Sequence, residues 1–173
     1  IIIFICWCRF MDASFFQKKD AKRIAIIGGG VSALLILEAL KKRVSGAKIK
    51  PYITLFEKNK ILGRGLAYRS GEEWLILNTP VDTMSVCEKD SLDFKNWLNK
   101  NYQEKTHWDG VPRGIYGQYL ESRMCGCLTE LRKMGCVINI HNAEVNKIEI
   151  SYLYDVHFQS RRERFNICVI ATG

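Results

Sequence analysis

Ile24-Ala25-Ile26-Ile27-Gly28-Gly29-Gly30-Val31-Ser32-Ala33 reads as a strand, a tight turn and the start of a helix. An apolar run enters the three glycines, and an apolar run rich in helix formers leaves them. The spacing is G-x-G-x-x-A, at Gly28, Gly30 and Ala33, and each position has its own task. Gly28 turns the backbone sharply out of the strand. Gly30 has no Cβ, so a pyrophosphate can approach the main chain. Ala33 is small enough for the helix to lie close to the strand. The N-terminus of that helix, with Val31 and Ser32 in its first turn, offers unpaired N–H groups and a partial positive charge. Ser32 adds a hydroxyl donor.

Three adjacent glycines also occur in ordinary turns, so context decides. The helix is expected over about Val31–Arg43, ended by Ser45-Gly46. A second strand follows over Ile49–Phe56 and closes on Glu57. This is a strand–helix–strand unit of about 30 residues, the length the fingerprint needs. Glu57 stands 24 positions after Ala33, close to the separation of about 20 at which a carboxylate accepts the ribose hydroxyls of an adenosine. The bland alternative is an ordinary α/β unit with a surface Glu57 and no ligand. Beyond Glu57, Gly63-Arg64-Gly65 forms a loop that passes the phosphate side of the same ligand. Arginine makes paired hydrogen bonds to phosphate oxygens, and Gly65 permits close approach. The alternative there is a turn with a solvent-facing Arg64.

The rest of the chain supports one α/β domain. Its 173 residues can bury a real core. With 47% hydrophobic and 25% charged residues it is neither a disordered nor a membrane composition. The net charge of +8 is spread over short groups with acids between them, so nucleic acid is not the expected partner. Seven cysteines, at 6, 8, 87, 125, 127, 136 and 168, make no C-x-x-C or common zinc spacing, so no metal is expected. Cys125 and Cys127 fall on a helix and face different ways, and Cys168 reads as a small core residue. This usage suits a reducing cytoplasm.

Residues 1–21 are expected to be a leader outside the domain, and 22–173 the domain itself. The apolar run Ile1–Cys8 is too short to span a bilayer, which needs about 20 residues. Residues 1–10 read as lying upstream of the native start or at a fragment edge, or else as a short membrane-contacting segment. A helix is expected at Leu92–Asn99 and a long one at Arg113–Lys133, with Tyr116, Tyr119, Leu120, Met124, Leu128 and Leu131 on its apolar face. Tyr116 and Tyr119 read as core or lip aromatics. Lone His107, His141 and His157 read as structural. From Gly135 the period becomes two. Strands are expected at Val137–Ile140, Ala143–Ile150, Tyr152–Gln159 and Arg164–Ile170, with a polar hairpin turn at 160–163. The chain then reaches Ala171-Thr172-Gly173.

Together these segments resemble the FAD domain of flavoproteins of the glutathione-reductase type. Gly63-Arg64-Gly65-Leu66-Ala67-Tyr68, Leu77-Asn78, Met84-Ser85, Phe94-x-x-Trp97-Leu98 and Pro112-Arg113-x-x-Tyr116-Gly117-x-Tyr119-Leu120 are similar to a narrower group. That group is the bacterial FAD–NAD(P)-binding domain proteins, distant relatives of flavin-dependent N-hydroxylating monooxygenases. The resemblance covers about residues 22–173. It implies a Rossmann-like α/β domain: a central parallel sheet with helices on both sides and a small β-meander. It places the FAD pyrophosphate at Gly28, Gly29, Gly30, Val31, Ser32 and Ala33, flanked by Arg64 and Gly65. The ribose falls to Glu57, with Lys58 beside it. Asn78 and Met84 lie toward the flavin, Val145 meets the adenine through its backbone, and Ala171, Thr172 and Gly173 lie near the cofactor. The implied function is an NAD(P)H-dependent, monooxygenase-like oxidoreductase acting on an unidentified small molecule. Two alternatives remain: a non-catalytic or truncated dinucleotide-binding module, and a nicotinamide dehydrogenase. The period-two meander argues against the last.

Overall fold

The computed structural model describes residues 21–69, 71, 73–102 and 110–172. Residues 1–20 of the expected leader, His107 and Gly173 lie outside these residues. Four strands form a parallel sheet: β1 (Arg23–Ile27), β2 (Tyr52–Phe56), β3 (Val137–His141) and β7 (Ile167–Ile170), in the order β3-β2-β1-β7. β1 and β2 are apolar almost throughout, as strands covered on both faces must be. Three further strands, β4 (Val145–Ile150), β5 (Tyr154–Phe158) and β6 (Arg161–Phe165), form an antiparallel meander.

Helices α1 (Val31–Val44), α2 (Asp93–Asn101) and α3 (Arg113–Lys133) complete the fold. Alternation along β1 and β2 sorts the core into two layers. Ile24, Ile26, Ile53 and Leu55 point to one face and join Leu34, Leu37 and Leu40 of α1 and Leu120, Met124 and Leu128 of α3. Ala25, Ile27 and Phe56 point to the other and meet Val156, Phe158 and Phe165 of the meander. The expected helices on both sides are therefore corrected: α1 and α3 share one face, and the meander covers the second. Topology explains it. The chain moves in one direction along the sheet from β1 to β2 to β3, so right-handed crossovers put both helices on one side. The return from β3 to β7 runs the other way, and its right-handed crossover, the meander, falls on the opposite face.

The long helix spans Arg113–Lys133, as expected. Cys127 is buried and Cys125 exposed, as their spacing requires. The expected strand over Arg164–Ile170 is two strands. Phe165 pairs with Tyr154 in the meander, while Ile167 pairs with Ile24 in the parallel sheet. Asn166 makes the transfer. Its N–H donates to the Arg23 carbonyl at 2.8 Å, and its Oδ1 accepts the Arg23 N–H at 2.8 Å. The hairpin expected at 160–163 turns instead at Gln159-Ser160, with Gln159 at φ +50°, and Phe158 faces Arg161. Arg161, Arg162 and Glu163 belong to β6, paired in register with Phe158, His157 and Val156 of β5. Glu163 accepts from Arg23 at 2.9 Å, and Arg164 holds Asp155 with two bonds of 2.8 and 3.0 Å.

Arg164 keeps the Asp155 carboxyl below the ordinary carboxylate range through those hydrogen bonds. A depressed folded-state pKa contributes stability above the unfolded value of about 4, and that contribution is lost as pH falls through the folded value. Asp155→Asn is therefore expected to lower the urea midpoint at pH 7. The gap from the wild type should narrow as the pH falls toward 3.

Candidate dinucleotide site

The ends of three neighbouring strands build the site. Ile27, Phe56 and Ile170 lie in register across the sheet, so the segments that follow them, Gly28–Gly30, Glu57–Asn59 and Ala171-Thr172, meet at its carboxyl edge. This is where open α/β sheets form their ligand crevices. Gly28 sits at φ +107°, and a Cβ there would come 2.5 Å from the Ala171 carbonyl oxygen. Its N–H donates to Phe56 O at 2.8 Å. Glycine is thus required for both the turn and the approach of β7 to β1.

A cleft of about 390 Å³ opens above this edge. Of the candidate residues, Gly28, Gly29, Gly30, Val31, Ser32, Glu57, Lys58, Arg64, Gly65, Val145, Ala171 and Thr172 line it. Ala33 does not; it is fully buried in the core against the helix layer, in keeping with its packing task. Asn78 and Met84 also stand outside the cleft lining. Asn78 is exposed, and Met84 is held by the Tyr116 hydroxyl, which donates to its carbonyl at 3.0 Å. Several lining residues were not singled out from sequence: Asn59, Ala143, Glu144 and the segment Leu66–Arg69. The signal for the last was present in the apolar, glycine-flanked Leu66-Ala67.

At the base of the cleft, α1 begins with no side-chain cap on Gly30. The first helical bond runs from Leu34 N–H to Gly30 O at 3.2 Å. Among the described residues the N–H groups of Val31, Ser32 and Ala33 therefore have no acceptor, which is the arrangement that receives an anion. Gly30 faces Gly65, and a Cβ on Gly30 would come 3.3 Å from the Gly65 Cα. The two glycine loops are tied by the Gly63 N–H, which donates to Gly29 O at 2.6 Å.

Glu57 is half-buried at the rim. Its Oε2 accepts the Gly29 N–H at 2.7 Å, and its Oε1 accepts the Asn59 N–H at 2.9 Å and the Asn59 amide at 2.6 Å. A carboxylate has about four acceptor sites, so these bonds orient it and leave capacity toward the cleft. Arg64 departs from the simplest expectation. Its Nε and Nη2 donate to Glu121 Oε2 at 3.0 and 2.7 Å, so part of its fork is engaged by α3. At the far rim, Lys58 pairs with Glu144 at 3.3 Å.

The two tyrosines of α3 belong to the core, as expected. Tyr119 is fully buried; its hydroxyl donates to Asp93 at 2.7 Å and accepts the Val86 N–H at 3.1 Å. Burial, reinforced by Asp93, pushes its pKa up to about 12, so the phenol stays protonated at neutral pH. His141 lies against Phe56 and Phe158 and pairs with Glu163 at 3.0 Å. Among the described residues no helix is long and apolar enough to cross a membrane.

A family model described as FAD-NAD(P)-binding matches residues 25–173. The chain belongs to this family. Among solved structures, this FAD-NAD(P)-binding chain is similar in fold to a mutant flavin monooxygenase from Stenotrophomonas maltophilia. The TM-score is 0.55 at 15% identity, over 88% of this chain and 38% of that one. It is also similar to Tmm from Pelagibacter sp. strain HTCC7211, with TM-score 0.51 and 21% identity over 86% of this chain and 35% of that one. The chain thus spans under two fifths of either structure. A search of the curated proteins finds no match. The cleft fits the family's cofactor class: unpartnered N–H groups for phosphates, a side-chain-free approach between Gly30 and Gly65, and an oriented carboxylate for a ribose.

Glu57→Ala tests the carboxylate. Its loss leaves the Gly29 N–H without an acceptor and takes from the cleft rim the carboxylate's remaining acceptor capacity. Adenosine affinity is expected to fall about tenfold, the scale of one lost charge-assisted hydrogen bond, in calorimetric titration of the purified chain.

Proposed function

We propose that the cleft binds FAD and that the chain is the cofactor domain of an NAD(P)H-dependent oxidoreductase of monooxygenase-like type. The observation that carries this reading is the uncapped start of α1, whose free N–H groups open onto the Gly30–Gly65 approach. In this reading the pyrophosphate rests on Gly28–Ser32, with Ala33 behind it. Glu57 receives the adenosine ribose beside Lys58, and the backbone at Val145 borders the adenine. Arg64 and Gly65 flank the phosphates. Ala171 and Thr172 close the sheet side, and Asn78 and Met84 stand beyond the cleft toward the ring end. Bound FAD would supply the redox chemistry, with NAD(P)H as reductant. This chain's residues bind and orient it. The substrate would be a small molecule. Five free thiols among the described residues favour a reducing compartment, the cytoplasm.

A second reading is a nucleotide-binding module without turnover. It is favoured by the structural employment of Tyr116, Tyr119 and His141. One preparation separates the two. The purified chain is mixed with FAD, desalted and scanned for the flavin absorption bands, then given NADH or NADPH. Retained flavin with nicotinamide oxidation is the expected result. Retained flavin without oxidation supports the module. Failure to retain FAD at excess overturns the cofactor assignment.

A further inference from the structure

We propose that Glu121, on α3 and outside the cleft, is a positioning residue. It holds the Arg64 guanidinium so that its free end meets a nucleotide's phosphates. The inference rests on the reading that the cleft binds an adenine dinucleotide.

Arg64 is constrained at three points. Its loop is fastened to the glycine turn by the Gly63 N–H on Gly29 O. Its aliphatic stem crosses α3 where Gly117 offers no side chain: a Cβ at 117 would lie 3.3 Å from the Arg64 Cδ. Its head is fixed by Glu121, whose Oε2 accepts from both Nε and Nη2. Gly117 and Glu121 are four residues apart on one helix, so they share a face. The groove for the stem and the anchor for the head therefore come from one strip of α3.

The use of the guanidinium is one-sided. Glu121 takes the Nε–Nη2 edge. Among the described residues Nη1 has no partner, and Arg64 lines the cleft. The end formed by Nη1 and the second Nη2 hydrogen is the edge that grips two oxygens of a phosphate. Glu121 does not compete with the ligand for that end. It spares Arg64 the loss of rotamer freedom that binding would otherwise demand. A pair with one partner 45% exposed contributes little to stability, so fold maintenance does not account for it.

Titration calorimetry of the purified chain with ADP and with adenosine tests this. Arg64→Ala and Glu121→Ala are each expected to weaken ADP binding about tenfold, the scale of one lost charge-assisted interaction. Adenosine binding should be unchanged. Glu121→Gln should fall between Glu121→Ala and the wild type, and Arg64→Lys, which keeps the charge and loses the fork, should resemble Glu121→Ala. ADP affinity equal to or above wild type in Glu121→Ala overturns the proposal. So does an equal loss for ADP and adenosine, which makes the residue merely structural. A wild-type chain that binds neither ligand defeats the nucleotide reading itself, and the proposal with it.

Discussion

Gly117→Ala is expected to destabilise the protein by more than about 3 kcal/mol, the range of severe backbone and overpacking conflicts. Helix propensity alone predicts the opposite sign: alanine is favoured over glycine in a helix interior by about 1 kcal/mol, and Gly117 lies in the second turn of α3. Packing decides. A Cβ at 117 would sit 2.1 Å from the Tyr68 carbonyl oxygen and 3.2 Å from its carbon. The obstacle is backbone, which cannot rotate away as a side-chain tip can. Loop 63–69 would have to lift from α3, carrying Arg64 and Tyr68 with it. Tyr68 stacks edge-on with Tyr116 at 4.8 Å between ring centroids, and Tyr116 in turn meets Phe94 at 4.9 Å. The disturbance therefore reaches the aromatic core between α2 and α3. The check is urea unfolding followed by circular dichroism. Gly126→Ala serves as the control, since it lies on the same helix with nothing within 4 Å. It should be neutral or stabilising. Equal behaviour of the two variants would refute the close-approach account.

That contrast shows what the sequence could and could not disclose. The strand–turn–helix at 24–33 was legible because each of its residues is constrained locally: apolar strand, positive-φ glycine, small helix residue. The 113–133 helix was legible from its period. The layer assignment was not, because the side on which a crossover falls depends on strand order, and β7 returns beside β1 only through long-range pairing. The division of 164–170 into two strands was hidden for a similar reason. Phe165 and Ile167 both suit a strand, and only the hydrogen bonds of Asn166 to Arg23 show that the chain changes sheets between them. The candidate site divides in the same way. Residues adjacent to the strand ends, from Gly28 to Thr172, reach the cleft by register alone. Asn78 and Met84 sit in a long connection with little regular structure, where position along the chain says little about position in space. The engagement of Arg64 by Glu121 joins residues 57 apart, and nothing local to either announces it.

Gly30→Val gives the largest expected effect on ligand binding and separates the site from the fold. Gly28 and Gly30 belong to one motif but serve different ends. Gly28 has a backbone conformation that side-chain-bearing residues avoid, and a carbonyl where its Cβ would be; its substitution harms folding itself. Gly30 is extended, at φ −84° and ψ −161°, which any residue adopts. The Gly65 Cα lies 3.3 Å from where its Cβ would stand, so a side chain needs the facing loop to give by a few tenths of an ångström. The fold should survive with a modest loss. The approach to the α1 N-terminus should not, because the valine methyls would occupy the space between Gly30 and Gly65. Phosphate oxygens would then be kept from the N–H groups of Val31, Ser32 and Ala33. Charge-assisted hydrogen bonds are worth about 1.5–3 kcal/mol each. Forfeiting two of them lowers FAD affinity by roughly two orders of magnitude or more. Fluorescence titration with FAD measures the loss, and thermal unfolding of the ligand-free protein monitors the fold. A variant that stays folded and binds FAD as the wild type does would show that the pyrophosphate does not sit at this helix terminus. A variant with weak FAD binding but unchanged adenosine binding would locate the damage at the phosphates, leaving Glu57 and the adenine end intact.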